Sequence, residues 1–210
     1  MSDESSNLFN IALTPSGVLY AFSQQVPDAT QVQLQSILAA KALPRADVWL
    51  SNSSGNAELL EHVFSAGWIQ HVHRDLNAPD VKLDEFLSHL LAGLSGERRV
   101  ALASTGGFCI GYSGYSLEEA EALCVAAADF TEFAGRQRAR GWQGASHMAS
   151  FHEDVNILMP STSFVPFWVD GNDYCLVIAG EPLLNNPVFV ELVWSIVTAG
   201  ERFTKYPNSN

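Results

Sequence analysis

His71 and His73 stand two residues apart, a spacing that places both imidazoles on one face of a strand, within reach of a single metal ion. Apart from Asp75 no ligating side chain accompanies them, so the pair reads as polar groups on a partly exposed strand and no metal is expected. Glu118, Glu119 and Glu121 gather carboxylates, but at a helix start, where negative charge offsets unpaired N–H groups; they are not read as a general acid–base pair. Gly106-Gly107 lacks the Gly-x-Gly-x-x-Gly and Gly-Lys-Ser/Thr surroundings that cradle phosphate, and is read as a turn. Cys109, Cys124 and Cys175 come singly, odd in number and without Cys-x-x-Cys, as small core residues of a reducing compartment. No Ser-His-Asp or Cys-His arrangement follows from spacing. The chain is therefore expected to be no enzyme and to use no cofactor.

Two groups fit binding better than catalysis. Arg136, Arg138 and Arg140 close a helix, where cations are favoured, and form a basic cluster on an otherwise acidic protein that could receive an acidic partner. Phe164, Phe167 and Trp168 surround Pro166; they either cover the end of the core or anchor a partner from a rigid loop. The formal net charge of −12 repels phosphate backbones, and the N-terminal part is itself acidic, which excludes nucleic acid as an expected partner. Only 16% of the residues are charged against 47% hydrophobic, consistent with a surface partly covered by another chain. The polar, acidic start Met1–Asn7 has no signal-peptide pattern and no apolar run reaches about 20 residues, so a soluble, cytoplasmic protein without membrane insertion is expected.

The elements that must position these residues follow from turn and cap signals. Residues 8–23 are read as a hairpin turning at Thr14-Pro-Ser-Gly17. Asp28 and Gln31 form a capping box that opens a helix with Leu34, Ile37, Leu38 and Ala42 inward. Val48-Trp-Leu50 is read as a short strand, Leu59 to Phe64 as a helix ending at Gly67, and Trp68 to His73 as a strand. Asn77-Ala-Pro-Asp80 is the expected boundary, giving an N-terminal α/β accessory module over 1–80, a second domain over 81–200 and a tail over 201–210. In the second domain, Leu83, Phe86, Leu87, Leu90, Leu91 and Leu94 repeat at helical spacing. A hairpin follows around Thr105-Gly-Gly107, then a long helix capped by Ser116 and Glu119 and reaching about Arg138, with the small-residue stripe Ala120, Leu123, Cys124, Ala127, Phe130 and Ala134. Strands are expected near 146–151, 155–160 and 174–180, the last central, and Asn186-Pro187 opens a final helix.

The order helix, hairpin, long helix, three strands, helix resembles the roadblock/dynein light chain family. Ala101–Ser113 is similar to the family's first hairpin, Leu117–Ala128 to the start of its long helix and Val169–Ile178 to the turn into its last strand. The resemblance implies an α/β (α+β) fold: an antiparallel five-stranded, profilin-like sheet flanked by helices. It further implies a non-enzymatic dimeric scaffold or regulator, possible partners including a small Ras-like GTPase. Mapped here, a homodimer would pair the Ser146–Phe151 edge through Ser146, Met148, Ser150 and Phe151, with Leu123, Ala127 and Phe130 of the long helix at the same interface. His147 and His152 would then hydrogen-bond across it, or make dimerisation pH-sensitive. The 161–169 segment is longer and more aromatic than the family's usual link, and the first 80 residues have no counterpart in the minimal domain. A degenerate repeat, with Ala12–Ser23 aligned on Ala101–Ser113, is one account of that extra length. The alternative function is a small-molecule sensor of profilin-like or PAS-like kind, which requires an enclosed apolar pocket.

Overall fold

A computed structural model describes residues 9–52, 57–79, 83–142, 148–153, 155 and 158–203. The N-terminal half pairs two strands, β1 (Asn10–Leu13) and β2 (Ile69–Val72), antiparallel with Ile11 opposite His71. Between them lie α1 (Pro15–Ala21), α2 (Ala29–Gln35) with a 3₁₀ turn Ser36–Leu38, α3 (Ala46–Asn52) and α4 (Ala57–Ser65). The Asp28–Gln31 capping box is present in both directions. Gly67, at φ +71°, ends α4 as expected: its N–H donates to the Phe64 carbonyl, and that of Trp68 to the Val63 carbonyl.

Two expectations fail here. The 8–23 hairpin is a strand followed by a helix. Thr14 is extended, and its Oγ1 accepts from the Gly17 N–H at 3.0 Å, while Pro15 occupies the first helical position, where no N–H is needed. The Thr-Pro-Ser-Gly string is a helix start, and the alignment of Ala12–Ser23 with the Ala101–Ser113 hairpin fails with it. The Val48–Leu50 strand is part of α3. Trp49 is buried while Val48 and Ser51 are exposed, and Arg45 holds Asp47 of the first turn at 3.0 Å.

The second half is a five-stranded antiparallel sheet in the order β4-β3-β7-β6-β5. Its strands are β3 (Val100–Ser104), β4 (Phe108–Ser113), β5 (Ala149–Phe151), β6 (Thr162–Val169) and β7 (Asn172–Ala179). The β3–β4 hairpin and the central position of β7 are as read. Of the strand expected at 155–160, residues 156 and 157 lie outside the described residues, and the described ones, 155 and 158–160, are not in a strand. The sheet instead takes Thr162–Val169, the segment read as an aromatic link. Pro166 can donate no ladder hydrogen bond, which is ordinarily unfavourable inside a sheet. However, β5 pairs only with Thr162 to Phe164, so Pro166 lies beyond it. Two residues on, the Trp168 N–H donates to the Phe22 carbonyl at 2.9 Å, so the end of α1 takes over where β5 stops.

Alternation along the strands gives the sheet two apolar faces. On one, Ala101, Ala103, Phe164, Cys175 and Val177 pack against Ala120, Cys124 and Ala127 of α6 (Leu117–Ala139), which carries the Ser116–Glu119 capping box. On the other, Val100, Leu102, Val165, Phe167, Leu176 and Ile178 meet α5 (Leu83–Ala92) and α7 (Pro187–Phe203). The same cluster runs on without a break into Ile11, Leu34, Leu38, Trp49 and Val63. Trp194 Nε1 donates to the Ala40 carbonyl at 2.9 Å, and the Ala78 N–H donates to the Lys41 carbonyl at 2.7 Å. Helix α7 reaches Phe203, inside the stretch read as a tail, and 204–210 lie outside the described residues.

Gly17 is where the two N-terminal strands and α1 come closest. A Cβ there would overlap the Trp68 carbonyl oxygen, a backbone atom that cannot swing aside. Ala normally gains about 1 kcal/mol over Gly inside a helix. In Gly17→Ala the clash reverses the sign, and urea denaturation should show a loss of about 1–3 kcal/mol.

Candidate interaction interface

Strand β5 is one edge of the sheet, and β4 the other. The inner side of β5 pairs with β6 (Ala149 with Phe164, Ser150 with Ser163, Phe151 with Thr162), and among the described residues no strand pairs with its outer side. The two serine hydroxyls hydrogen-bond at 2.8 Å, and Ser161 donates to the Phe151 carbonyl through both its N–H and its Oγ. Phe151 is on the α6 face, edge-on to Phe164 at 5.7 Å; Phe164 in turn is 5.3 Å from Phe130. On the other face Met148 helps close an apolar groove of about 370 Å³ with Leu19, Val165, Phe167 and Leu184. Met148 is 45% exposed and Phe151 56%, and Leu158 and Met159 beside them are 83% and 53% exposed. This apolar surface lies around a strand edge that no described strand covers, which makes it the candidate interaction surface.

Of the other sequence-predicted interface residues, those on α6 fall away from this edge. Ser146, like His147, lies outside the described residues. Ala127 is fully buried and Leu123 and Phe130 are partly buried, all packed on the protomer's own sheet. The small-residue stripe does admit a close backbone, but it is an internal one: a Cβ on Gly107 would meet the Cys124 carbonyl oxygen at 3.0 Å. The exposed side of α6 carries Leu117, Val125 and Phe133 instead, and Phe133 meets Trp142 edge-on at 6.2 Å. Sequence periodicity could have found these, since they sit opposite the buried stripe. His152 Nδ1 is within hydrogen-bond distance of the Met159 carbonyl, at 3.0 Å, which ties it into its own turn.

The reading of Phe164, Phe167 and Trp168 as anchors on an exposed loop is corrected. They belong to β6 and are 7%, 3% and 5% exposed. Phe167 stacks on Tyr174 and meets Phe189 edge-on, the core-covering alternative. The three arginines do not act as one cluster. Arg136 pairs with Glu132 at 3.0 Å, the Arg138 guanidinium lies 5.3 Å from the Trp168 ring centroid, and exposed Arg140 is the C-cap residue of α6.

Of the chemistry-bearing residues, His71 is wedged between Phe9 at 3.7 Å and Phe64 at 4.3 Å, and His73 lies beyond the end of β2. Among the described residues no group of three His, Cys, Asp or Glu side chains is placed to hold a metal ion. Glu119 accepts from the Ser116 N–H and hydroxyl, and this holds its carboxyl below the usual range. Gly106 and Gly107, at φ +77° and +82°, make the tight turn. The three separated cysteines converge under α6: Cys109 and Cys175 both register opposite Ala103, and Cys124 belongs to the same packed cluster. No described helix is long and apolar enough to cross a membrane.

No protein-family model matches the chain, and no curated protein does. Among solved structures, the Roadblock/LC7 domain from Streptomyces avermitilis is similar: 14% identical over 59% of this chain and 100% of that chain, with a TM-score of 0.40. The strand order and the helices on each face, rather than this likeness, carry the fold reading.

Burial pushes the Cys175 thiol up to about 12 and raises that of Cys124 as well. In the unfolded chain these thiols ionise near 9.0, whereas in the folded chain they stay protonated. Their contribution to stability is therefore complete below about pH 9 and falls as pH rises towards 12. Cys175→Ala should flatten that alkaline loss by up to about 1.4 kcal/mol per pH unit, read from denaturation midpoints between pH 8 and about 11.

Proposed function

We propose that the chain is a non-enzymatic scaffold or regulatory protein that works as a homodimer, joined by two copies of the β5 edge. The observation that carries this reading is the unpaired outer side of β5, flanked by exposed Met148 on one face and Phe151 on the other. Antiparallel pairing of two such edges about a two-fold axis would satisfy the free N–H and C=O groups and continue the sheet from one protomer into the next. Phe151 and the exposed side of α6, with Phe133 and Trp142, would meet their copies on one face of that joined sheet, and Met148 on the other. Leu123, Ala127 and Phe130 have no direct part in it, since they hold α6 to its own sheet.

The resemblance noted in the sequence supports a finer reading, in which the dimer docks or regulates a small Ras-like GTPase. Exposed Arg140, which has no ion pair among the described residues, is the part of the arginine run best placed to meet an acidic partner. Immobilised protein should then retain a GTPase of that class from lysate in one nucleotide state in preference to the other.

Sedimentation over a range of concentrations should give a dimer for the wild-type chain. Phe151→Asp and Met148→Asp should each weaken self-association at least about tenfold, roughly 1.4 kcal/mol, because each places a charge in a desolvated contact. Both positions are exposed in the protomer, so the variants should keep their melting behaviour as monomers. A wild-type chain that stays monomeric at every concentration would defeat the proposal.

A further inference from the structure

Where the N-terminal half meets α5 and α7, the fold leaves a cavity of about 490 Å³, remote from the surface offered by β5. Its floor is apolar: Leu13, Leu38, Leu43 and Trp194 are all buried. Half-buried Phe86 and Val190 add to its walls. The groups that could have made this floor polar are already engaged. The Trp194 indole N–H donates to the Ala40 carbonyl, and the Leu43 N–H to the Leu76 carbonyl. A molecule reaching the floor therefore finds hydrocarbon, and the part of it that enters must be apolar.

The polar lining is of a different kind. Exposed Gln70, Arg74 and Asn77 come from β2 and the segment after it, and Glu191 from α7. Arg74 is the one cation among the lining residues, and its guanidinium makes no ion pair or hydrogen bond among the described residues. Gln70 and Asn77 add two amides whose side chains have no hydrogen-bond partner among the described residues, each able to donate, so three donor-bearing side chains accompany the one charged acceptor, Glu191. An apolar floor with a few convergent polar groups, in a volume within the ~300–1,000 Å³ of small-ligand sites, describes a binding pocket for an amphipathic molecule.

We propose that this cavity binds an aliphatic monocarboxylate. Its chain lies on Leu38, Leu43 and Trp194, and its carboxylate accepts from Arg74, Gln70 and Asn77. Glu191 opposes the ligand's charge and so limits affinity. The site does not depend on how β5 pairs.

Calorimetric titration of the full chain with octanoate, decanoate and dodecanoate tests this directly. Burial on hydrocarbon should tighten binding about fourfold per methylene until the cavity is full. Arg74→Gln should weaken decanoate at least about tenfold while leaving the chain-length dependence unchanged. Glu191→Gln should tighten it severalfold, and Val190→Trp, which fills the pocket from a partly exposed position, should abolish it. Arg74 and Glu191 are exposed, so their variants are expected to fold, and an unchanged melting curve confirms that. Absence of saturable decanoate binding, affinities that ignore chain length, an Arg74→Gln variant that binds as well as wild type, or tighter binding of decylamine than of decanoate would each overturn the assignment.

Discussion

The sheet is apolar on both faces, and everything else is arranged to cover it. Leu176 and Val177 on the central strand point to opposite sides, yet both are fully buried. Each such side chain contributes roughly 1.5–3 kcal/mol only if it is removed from water. One face needs little material, because α6 approaches on a stripe of Ala and Cys and seats itself close to the strands. The other face is wider than α5 and α7 can cover. The helices of the first 80 residues complete that layer, with Leu34, Leu38 and Trp49 in the same cluster as Leu102 and Phe189.

Covering the faces leaves the edges. Along β6 the change of neighbour is abrupt, from β5 to the carbonyl of Phe22, with Pro166 between. This arrangement gives the N-terminal half a second role. It finishes the hydrogen bonding of a strand that β5 is too short to follow, and so leaves a short stretch of β5 whose outer side pairs with no strand among the described residues.

Legibility in the sequence followed the range of the interactions. The caps at Asp28 and Ser116, the Gly67 stop and the Thr105–Gly107 turn are set by contacts within a few residues, and the central β7 shows itself in an unbroken apolar run, so each was readable. Thr14-Pro-Ser-Gly was ambiguous because the same residues make turns and helix starts; what decides between them is Gly17 lying against the Trp68 carbonyl, more than fifty positions away. Thr162–Val169 was misread for a related reason. Pro166 excludes a strand only where a ladder partner needs its N–H, and that depends on where β5 stops. The candidate site was partly legible. Met148 and Phe151 sit at the expected edge strand, whereas Leu123, Ala127 and Phe130, expected beside them, pack on the protomer's own sheet. Hydrophobic spacing shows which residues are buried together and is silent on whether the cover is the same chain or another. The cavity had no local signal at all, since β1, β2, α5 and α7 bring its lining from across the chain.

The glycine pair between β3 and β4 has a consequence for motion. Gly107 sits so near α6 that even a methyl group would crowd Ala128 and the backbone at Cys124 and Val125, and Thr105 Oγ1 holds Asp173 of β7 at 2.7 Å. Most hairpin tips fray independently of the sheet behind them. This one is held between a helix and the central strand, so although Thr105, Gly106 and Phe108 are exposed its movement is tied to that of α6 and β7. The tip, the long helix and β7 should thus move together, while β5 at the far edge opens separately.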